Sequence, residues 1–302
     1  MRTNRNLVIG AILLVVALVA TACSSGDDSH DGTTIIIGSA NFGESAIVAE
    51  IYAQALEADG FTVERKLNTG NREIYAQALE AGELHLVPEY VGSALSYKGG
   101  EPTSDTDSTT ADLSDAWSAD CVTVLDPAPA QDKNGFVVTG AKAAELGVSK
   151  VSDLAAHNDT LALGGPPECP ERAFCLMGLD DVYGLSFSEF KPLDVGGPLT
   201  VAALEGDEIQ VGLLFTTDGV IASKGFVLLE DDQGLQPAEN LIPAIRTDIV
   251  DEYGSDVTDV LNAVSNALTK EALTEMNKLT GYDGEDPVTV AADWLESVGI
   301  TG

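Results

Sequence analysis

The segment TIIIGSANFGESAIVAEIYAQALEADGFTVERKL, residues 34–67, switches twice between two hydrophobic patterns. Thr34–Gly38 is a run of β-branched and apolar residues, which is typical of a buried strand. Glu44–Ala58 carries apolar residues at helical spacing, and Phe61–Leu67 alternates as a second strand does. The same order continues with a helix at Arg72–Ala81 and a short strand at Leu84–Val87. Strand, helix, strand order predicts parallel βαβ units and therefore an α/β fold.

A second α/β set follows the Pro-containing stretch 127–129, where a helix cannot continue. Its predicted elements are strands at 135–138, 160–163, 189–193, 209–215 and 226–230, and helices at 141–146, 152–157, 175–183 and 198–206. The C-terminal part, residues 248–298, has helical spacing. We therefore expect two lobes with mostly parallel sheets, residues 34–126 plus 230–302 and residues 127–229. The chain would cross between them near 124–130 and 226–232, leaving a ligand cleft between the lobes.

Two other segments affect this layout. The string EIYAQALEA occurs at 50–58 and again at 73–81, and we interpret the two copies as similar helices packed on one sheet. With only two copies, a solenoid is disfavoured. Residues Glu101–Thr110 are polar and acidic, which predicts a linker or an exposed excursion.

The N-terminus has the layout of a secretory signal. Arg2 and Arg5 precede an apolar run, Leu7–Ala20, that is too short to span a hydrocarbon core of roughly 30 Å as a permanent helix. Thr21-Ala22-Cys23 resembles the bacterial lipoprotein cleavage box, which implies removal of residues 1–22 and a lipid on Cys23. Residues 23–33 would then form a flexible tether at the extracytoplasmic face of the cell membrane. The alternative is an ordinary signal peptide with an incidental cysteine.

The chain is strongly acidic. Its formal net charge is −34, and loss of residues 1–22 would remove two arginines and no acids. Such a surface disfavours nucleic acid and anionic lipid surfaces as partners. Because the acids are spread along the chain, we interpret them as a solvated surface and not as an acidic binding stripe.

Three cysteines remain once Cys23 is assigned to the lipid, namely Cys121, Cys169 and Cys175. An oxidising compartment permits a disulfide, and three pairings exist. Cys169 and Cys175 lie in one Pro-containing loop, so their pairing is favoured. Cys121 opens an apolar stretch and is expected to be a buried thiol.

Six short stretches, in their order and spacing, resemble one family. They are Ile37-Gly38-Ser39-Ala40-Asn41-Phe42-Gly43-Glu44, Pro88-Glu89-Tyr90-Val91-Gly92-Ser93, Ser152-Asp153-Leu154, Tyr183-Gly184-Leu185, Thr216-Thr217-Asp218-Gly219 and Glu230-Asp231-Asp232. The family is the substrate-binding proteins of ABC importers, in the osmoprotectant branch that binds glycine betaine, carnitine or choline. The resemblance implies a two-lobe, type II periplasmic-binding-protein fold that closes over one small solute. It also implies an ABC permease as partner, a monomer, and no cofactor or metal.

The first of these stretches places Asn41 and Phe42 between a strand end and a helix start. Free backbone N–H groups and the positive end of a helix dipole can hold an anionic group there. Asn41 as a helix cap and Phe42 as a core residue is the competing interpretation. Thr69 also joins a strand to a helix, and its hydroxyl would either donate to a ligand or cap the helix.

The resemblance also implies a cage of tyrosines around a trimethylammonium group, because aromatic faces attract a cation that cannot hydrogen-bond. Tyr90, next to Glu89, matches this pattern, whereas Phe215 stands where a tyrosine is common. Glu239 stands where members often have a cage tyrosine. A buried carboxylate prefers hydrogen-bond donors, which betaine lacks. We therefore also consider a pocket that binds a hydroxylated ligand, such as a polyol, a sugar-like solute or a phenolic compound.

Four further residues complete the candidate ligand site. Arg172 lies in the glycine-rich loop 164–175 and would bind a ligand carboxylate, or else pair with Glu168 or Glu171. Asp132 follows the first crossing and is either a ligand contact or a turn residue. Thr216 and Thr217 belong to the family-like stretch after Phe215 and are assigned to the site by that resemblance.

An enzyme is disfavoured. The three histidines are scattered, and the chain contains no metal-binding HxxxH spacing, GxSxG elbow, phosphate loop or GxGxxG turn. A hydrolase built on Asp and Glu alone and a ligand-sensing lipoprotein without a transporter are the rival classes that the sequence leaves open.

Overall fold

The computed structural model describes His30 and residues 32–301. The predicted signal peptide, residues 1–22, and the predicted lipidation site, Cys23, lie outside the described residues. Within residues 32–301, no helix has both the length and the apolar character that are needed to cross a membrane.

The described residues form two five-stranded sheets. The strands are β1 (Ile35–Ala40), β2 (Val63–Gly70), β3 (Leu86–Tyr90), β4 (Val122–Val124), β5 (Asn134–Thr139), β6 (Ala162–Gly165), β7 (Glu189–Pro192), β8 (Val211–Phe215), β9 (Phe226–Leu228) and β10 (Leu241–Arg246). The first sheet has the order β2-β1-β3-β10-β4, and the second has the order β7-β6-β8-β5-β9. The two orders correspond position by position, so the two lobes share one topology.

Each sheet is mixed, with one strand that runs against the others. In the first sheet β10 pairs antiparallel with β3 and β4, and in the second β5 pairs antiparallel with β8 and β9. Both strands follow a crossing: the chain passes from β4 to β5 and returns from β9 to β10. A strand that arrives directly from the other lobe enters its sheet without a helical crossover, so the parallel βαβ rule does not apply to it.

Helices cover both sheets. They are α1 (Gly43–Ala58), α2 (Arg72–Glu80), α3 (Val91–Tyr97), α4 (Thr106–Ser118), α5 (Gly140–Leu146), α6 (Leu176–Tyr183), α7 (Pro198–Glu205), α8 (Gly219–Ser223), α9 (Thr247–Tyr253), α10 (Ser255–Ala267), α11 (Lys270–Gly281) and α12 (Pro287–Ser297). Short 3-10 helices occur at Val151–His157 and Cys169–Glu171. The fold class expected from the sequence, α/β with two lobes, is thus the one observed.

Burial explains why these elements hold together. Helix α1 is buried on nearly every side, because α10, α11 and α12 pack against it while it covers the first sheet. Ile35, Ile37, Ile51 and Leu261 are completely buried in the resulting core. The C-terminal helices therefore belong physically to the first lobe, although they follow the second lobe in the chain.

The two crossings run side by side. Gln131 and Asn240 form an isolated antiparallel bridge, and the backbone N–H of Asp132 donates to the carbonyl of Glu239 at 3.0 Å. The N–H of Leu241 donates to the carbonyl of Ala130 at 3.2 Å. The chain thus has a narrow, paired connection between the lobes, which is the place where a hinge would act.

One sequence-based expectation is wrong, and another holds only in part. The acidic segment Glu101–Thr110 is not a linker throughout, because α4 begins at Thr106, where the Asp105 side chain accepts from the N–H of Ser108 at 2.8 Å. The first turn of α4 is polar, so its sequence resembles that of a loop. Cys121 is exposed and not buried, since it lies in a left-handed turn (φ 57°) ahead of β4.

Candidate functional site

The candidate site is a cavity of about 130 Å³ in the cleft between the lobes. It lies beyond the carboxyl ends of β1, β3, β6 and β8, the location at which open α/β sheets bind ligands. Both lobes and both crossings contribute to it. The principal lining residues are Asn41, Phe42, Asn71, Arg72, Tyr75, Tyr90, Ser93, Asp132, Asn134, Arg172, Phe174, Phe215 and Glu239.

Aromatic rings dominate the cavity wall. Phe42 lies between Tyr90, with ring centroids 6.1 Å apart, and Phe215, with ring centroids 5.1 Å apart. This row of three rings reaches from the first lobe into the second. Tyr75 and Phe174 add two further rings from opposite lobes. Several aromatic faces around one small cavity form an environment that attracts an organic cation.

The hydroxyl of Tyr90 has a fixed partner. It donates to Oε1 of Glu44 at 2.7 Å, in the buried first turn of α1. Burial, and then the nearby charge of Glu44, raise the pKa of Tyr90 well above its usual value, so the phenol stays protonated and keeps donating. The ring face is therefore what Tyr90 presents to a ligand.

Glu89 is committed to protein partners behind this wall. It is completely buried, and Arg72 binds it through Nε at 2.7 Å and Nη2 at 3.0 Å. The hydroxyl of Tyr75 donates to the same carboxylate at 2.6 Å. Glu89 does not line the cavity, but it holds Arg72 and Tyr75, which do. Glu89 therefore lies behind the residues that line the cavity and does not face the ligand itself.

Glu239 lines the cavity and is only 3% exposed. Its two carboxylate oxygens accept from Ser93, one from the backbone N–H at 3.0 Å and one from the hydroxyl at 2.6 Å. Burial raises the pKa of Glu239 to about 7, against the opposing effects of Ser93 and Arg72. Glu239 is therefore an ionisable group in the wall of the cavity that changes charge near neutral pH.

Arg172 links the two lobes. Its loop is closed by a disulfide between Cys169 and Cys175. Arg172 Nη2 lies 2.6 Å from Oε1 of Glu73, which is on α2 of the first lobe, so its partner is neither Glu168 nor Glu171. This ion pair spans the cleft next to the cavity, and Arg172 also lines the cavity itself. Both side chains are partly exposed, 26% and 45%, so the pair by itself contributes little stability.

Four other predicted residues occupy different places. Asp132 lines the cavity, and its Oδ1 accepts from the hydroxyl of Thr216 at 3.2 Å and the N–H of Thr217 at 3.1 Å. Neither threonine lines the cavity, and Thr217 is completely buried. Thr69 lies outside the lining, where its hydroxyl donates to the carbonyl of Lys66 at 2.6 Å. It therefore stabilises the turn that enters α2.

Several lining residues have no sequence signal of their own. Arg72 and Tyr75 lie on one helical face after Asn71, and their spacing is typical of the first turn of any amphipathic helix. Ser93 follows Tyr90 within the family-like stretch, and its sequence context gives no sign of a role in the site. Its role comes from the folded structure, in which its hydroxyl donates to Glu239. Phe174 was a detectable candidate, because an aromatic residue next to a disulfide cysteine in a glycine-rich loop is well placed to face a cleft.

Comparison with known proteins agrees with this geometry. Residues 33–297 match the family model of the substrate binding domain of the ABC-type glycine betaine transport system. The chain belongs to this family. The family assignment made from the six short stretches is thereby confirmed, and the protein is a substrate-binding component of an ABC importer.

Individual members of this substrate-binding family are similar over most of their length. The glycine betaine-binding protein YehZ of Escherichia coli is 26% identical over 286 residues, covering 88% of this chain and 90% of the relative. The carnitine transport binding protein OpuCC of Listeria monocytogenes is 25% identical, covering 94% of both chains. A crystal structure described as a glycine betaine/carnitine/choline ABC transporter has a TM-score of 0.71 at 22% identity. The match covers 88% of this chain and 99% of the chain in that structure. This last likeness supports the fold.

Proposed function

We propose that this protein captures a quaternary ammonium osmoprotectant, of the glycine betaine type, on the extracytoplasmic side of the membrane and delivers it to an ABC permease. The observation that carries the proposal is the aromatic-lined cavity between the two lobes, with Tyr90, Phe42 and Phe215 in one row. A trimethylammonium group gains from aromatic faces and needs no hydrogen bonds. Two of the relatives bear names for ligands with this group, glycine betaine and carnitine.

The polar residues of the cavity suit the remainder of such a ligand. Glu239, when ionised, supplies a negative charge in the cavity wall, which favours a cation over a neutral solute. Arg72 uses Nε and Nη2 for Glu89, and Arg172 uses Nη2 for Glu73. Their remaining nitrogens and the amide of Asn41 can serve a ligand carboxylate. A zwitterion with one cationic and one anionic end matches these two groups of residues.

The alternative of a hydroxylated ligand is less well supported. That alternative requires the buried carboxylate of Glu239 to need hydrogen-bond donors from a ligand. Ser93 already supplies two donors from the protein itself. No hydroxyl of a ligand is then required to compensate the burial of Glu239. We therefore prefer a quaternary ammonium ligand to a polyol, a sugar-like solute or a phenolic compound.

Transport would follow from closure of the two lobes. We propose that lobe 1 comprises residues 34–126 and 230–302, that lobe 2 comprises residues 127–229, and that the two paired crossings act as the hinge. The permease would distinguish the closed, loaded shape from the open one. The protein would act as a monomer without cofactor, metal or catalysis, held at the membrane by a lipid on Cys23. A Cys23→Ser variant that stayed in the membrane fraction of its host would refute the anchor.

A calorimetric titration of the lipid-free mature chain tests the ligand. Glycine betaine, choline and carnitine are compared with polyols, sugars and phenolic compounds. We expect binding of at least one quaternary ammonium ligand, weakened about tenfold or more in Tyr90→Leu, which removes an aromatic face. Tyr97→Leu is the matched control, because Tyr97 lies on the next helix outside the cavity lining. Binding of polyols but of no quaternary ammonium ligand would refute the proposal.

A further inference from the structure

Glu44 lies behind the ligand cavity, at the contact between the lobes. It is 4% exposed, and its carboxylate accepts from three different elements. The hydroxyl of Tyr90 donates to Oε1 at 2.7 Å, while Thr217 Oγ1 and Asn277 Nδ2 donate to Oε2 at 2.5 and 2.6 Å. Tyr90 and Asn277 belong to the first lobe, and Thr217 belongs to the second. Glu44 thus connects an aromatic wall residue of the cavity with the opposite lobe.

The lobes approach closely at this point. Helix α8 of the second lobe packs against α11 of the first. The backbone of Gly219 meets Lys278 so closely that a side chain at Gly219 would lie 2.7 Å from Lys278 Cβ. Opening of the cleft would separate Thr217 from Glu44 and admit water to the carboxylate. In this arrangement of the lobes, Thr217 of the second lobe completes the burial of Glu44.

Two more acids share this contact between the lobes, Asp132, which is buried, and Asp218, which is partly buried. Asp132, on the first crossing, is 4% exposed and accepts from the N–H of Thr217 at 3.1 Å, so Glu44 and Asp132 bind the same threonine. Asp218 follows Thr217 and accepts from the N–H of Phe215 at 2.7 Å. We call Glu44, Asp132 and Asp218 the interlobe acid cluster.

One lysine at this contact between the lobes has other partners. The ammonium group of Lys278 pairs with Glu275 and Asp283. The groups that face Glu44 are Tyr90 from β3, Asn277 from α11, Thr217 from the second lobe and Asp132 from the crossing. Tyr90, Asn277 and Thr217 donate hydrogen bonds, Asp132 is another acid, and none of the four is cationic. Closing the cleft therefore brings acids together with less access to water and without a cationic side chain of the protein to neutralise them.

We infer that Glu44 is a positioning residue that couples the Tyr90 ring to closure of the cleft, and that closure takes up a proton on the interlobe acid cluster. The inference rests on the proposed function, in that closure accompanies solute binding. Glu44 does not contact the solute. It acts through Tyr90 on one side and through Thr217 on the other.

The expected titration of the cluster supports the inference. Burial raises the pKa of Glu44 and, together with the charges of Glu44 and Asp218, raises that of Asp132 well above its usual value. Burial also raises the pKa of Asp218 to about 7. In the open form, water would return these acids toward ordinary values. The closed form therefore binds more protons near neutral pH, and a lower pH favours closure.

Proton uptake can be measured directly. Glycine betaine is titrated into the lipid-free mature protein at pH 7 in two buffers that differ in ionisation enthalpy. The difference in apparent binding enthalpy gives the number of protons bound. We expect net uptake in the wild type and a clearly smaller uptake in Glu44→Gln, which keeps the shape but cannot ionise. Each full proton corresponds to about a tenfold change in affinity per pH unit.

A matched control separates this role from a general effect of altering α1. Glu50 lies on the same helix, is 2% exposed and pairs with Arg65 away from the lobe contact. Glu50→Gln should keep the proton uptake of the wild type. Equal uptake in the wild type and in Glu44→Gln would overturn the inference, as would equal losses in Glu44→Gln and Glu50→Gln.

A second measurement uses no solute. It therefore distinguishes failure of the Glu44 inference from failure of the proposed function. Spin labels on the native, exposed Cys121 of lobe 1 and on Asp181→Cys of lobe 2 report the distance between the lobes. We expect the short-distance population to grow as the pH falls from 8.5 to 6, and to grow less in Glu44→Gln. If glycine betaine fails to bind but this shift is present, the ligand is wrong and the Glu44 inference stands. A population that does not respond to pH refutes it.

Discussion

Replacement of Glu239 by Gln should stabilise the ligand-free protein at alkaline pH and leave its stability unchanged in acid. Glu239 is 3% exposed, and both its oxygens accept from Ser93. Burial raises its pKa from 4.5 to about 7. An acid whose pKa is raised by folding contributes its full share of stability below pH 4.5 and loses it as the pH rises through 7. Gln fills the same space without titrating.

The expected size follows from the shift. A change of about 2.5 pKa units corresponds to roughly 3 kcal/mol of lost stability once Glu239 is fully ionised. The hydrogen bonds from Ser93 are stronger to a carboxylate than to an amide, by about 1 kcal/mol. We therefore expect Glu239→Gln to gain about 2 kcal/mol at pH 8.5, or about 5 °C in melting temperature for a chain of this size.

Thermal unfolding followed by circular dichroism between pH 4.5 and 8.5 measures this difference. The melting temperatures of the wild type and Glu239→Gln should coincide near pH 4.5, diverge as the pH rises to about 7, and differ by a constant amount above it. Glu101→Gln serves as the control, because Glu101 is an exposed carboxylate and should give no divergence. A difference between wild type and Glu239→Gln that is constant with pH, or that has the opposite sign, would refute the assigned burial of Glu239.

Three further predictions concern the walls of the cleft. Phe215→Ala should admit bulkier quaternary ammonium ligands, because Phe215 separates the cavity from a larger space of about 490 Å³, and a titration series of increasing alkyl size tests this. Serine in place of Cys169 and Cys175 should lower the free energy of unfolding by about 2 kcal/mol in urea titrations, by loss of a short closed loop. Gly92→Ala should weaken ligand binding in calorimetry about tenfold or more, because its Cβ would lie 2.5 Å from the carbonyl of Ala238 and displace Glu239.

The local hydrophobic patterns were sufficient for the elements and the fold class. The spacing in Glu44–Ala58 predicts α1 to within one residue, because its apolar residues recur at helical intervals along the whole segment. The reversal of β5 and β10 was not predictable from such patterns, since strand direction depends on where the chain comes from and not on its own sequence. The start of α4 was missed for another reason: its first turn is polar, and a capping aspartate resembles a turn residue.

Site residues were predictable where a single side chain, such as an aromatic ring, is sufficient for the proposed contact. They were not predictable where the contact depends on two residues that are distant in sequence. Tyr90 and Phe215 were identified as pocket aromatics, and both line the cavity. The partner of Arg172 is Glu73, which is 99 residues away in sequence. The donors to Glu239 come from Ser93, 146 residues away, and a buried carboxylate without such donors would require hydrogen bonds from a ligand. Pairings at such separations are fixed by the folded lobes.

Glu239 and the interlobe acid cluster should make solute affinity depend on pH in opposite directions. A cation in the cavity favours ionised Glu239, so its contribution to affinity rises with pH until Glu239 is deprotonated, at about 7. Closure favours protonated forms of Glu44 and its neighbours, so that contribution falls as the pH rises. Together they predict a maximum of affinity near neutral pH. Calorimetric titrations with glycine betaine should show affinity falling steadily with pH in Glu239→Gln and a weaker fall at alkaline pH in Glu44→Gln, in which Asp132 and Asp218 still titrate. A maximum that persists unchanged in both variants would mean that other groups control the pH dependence.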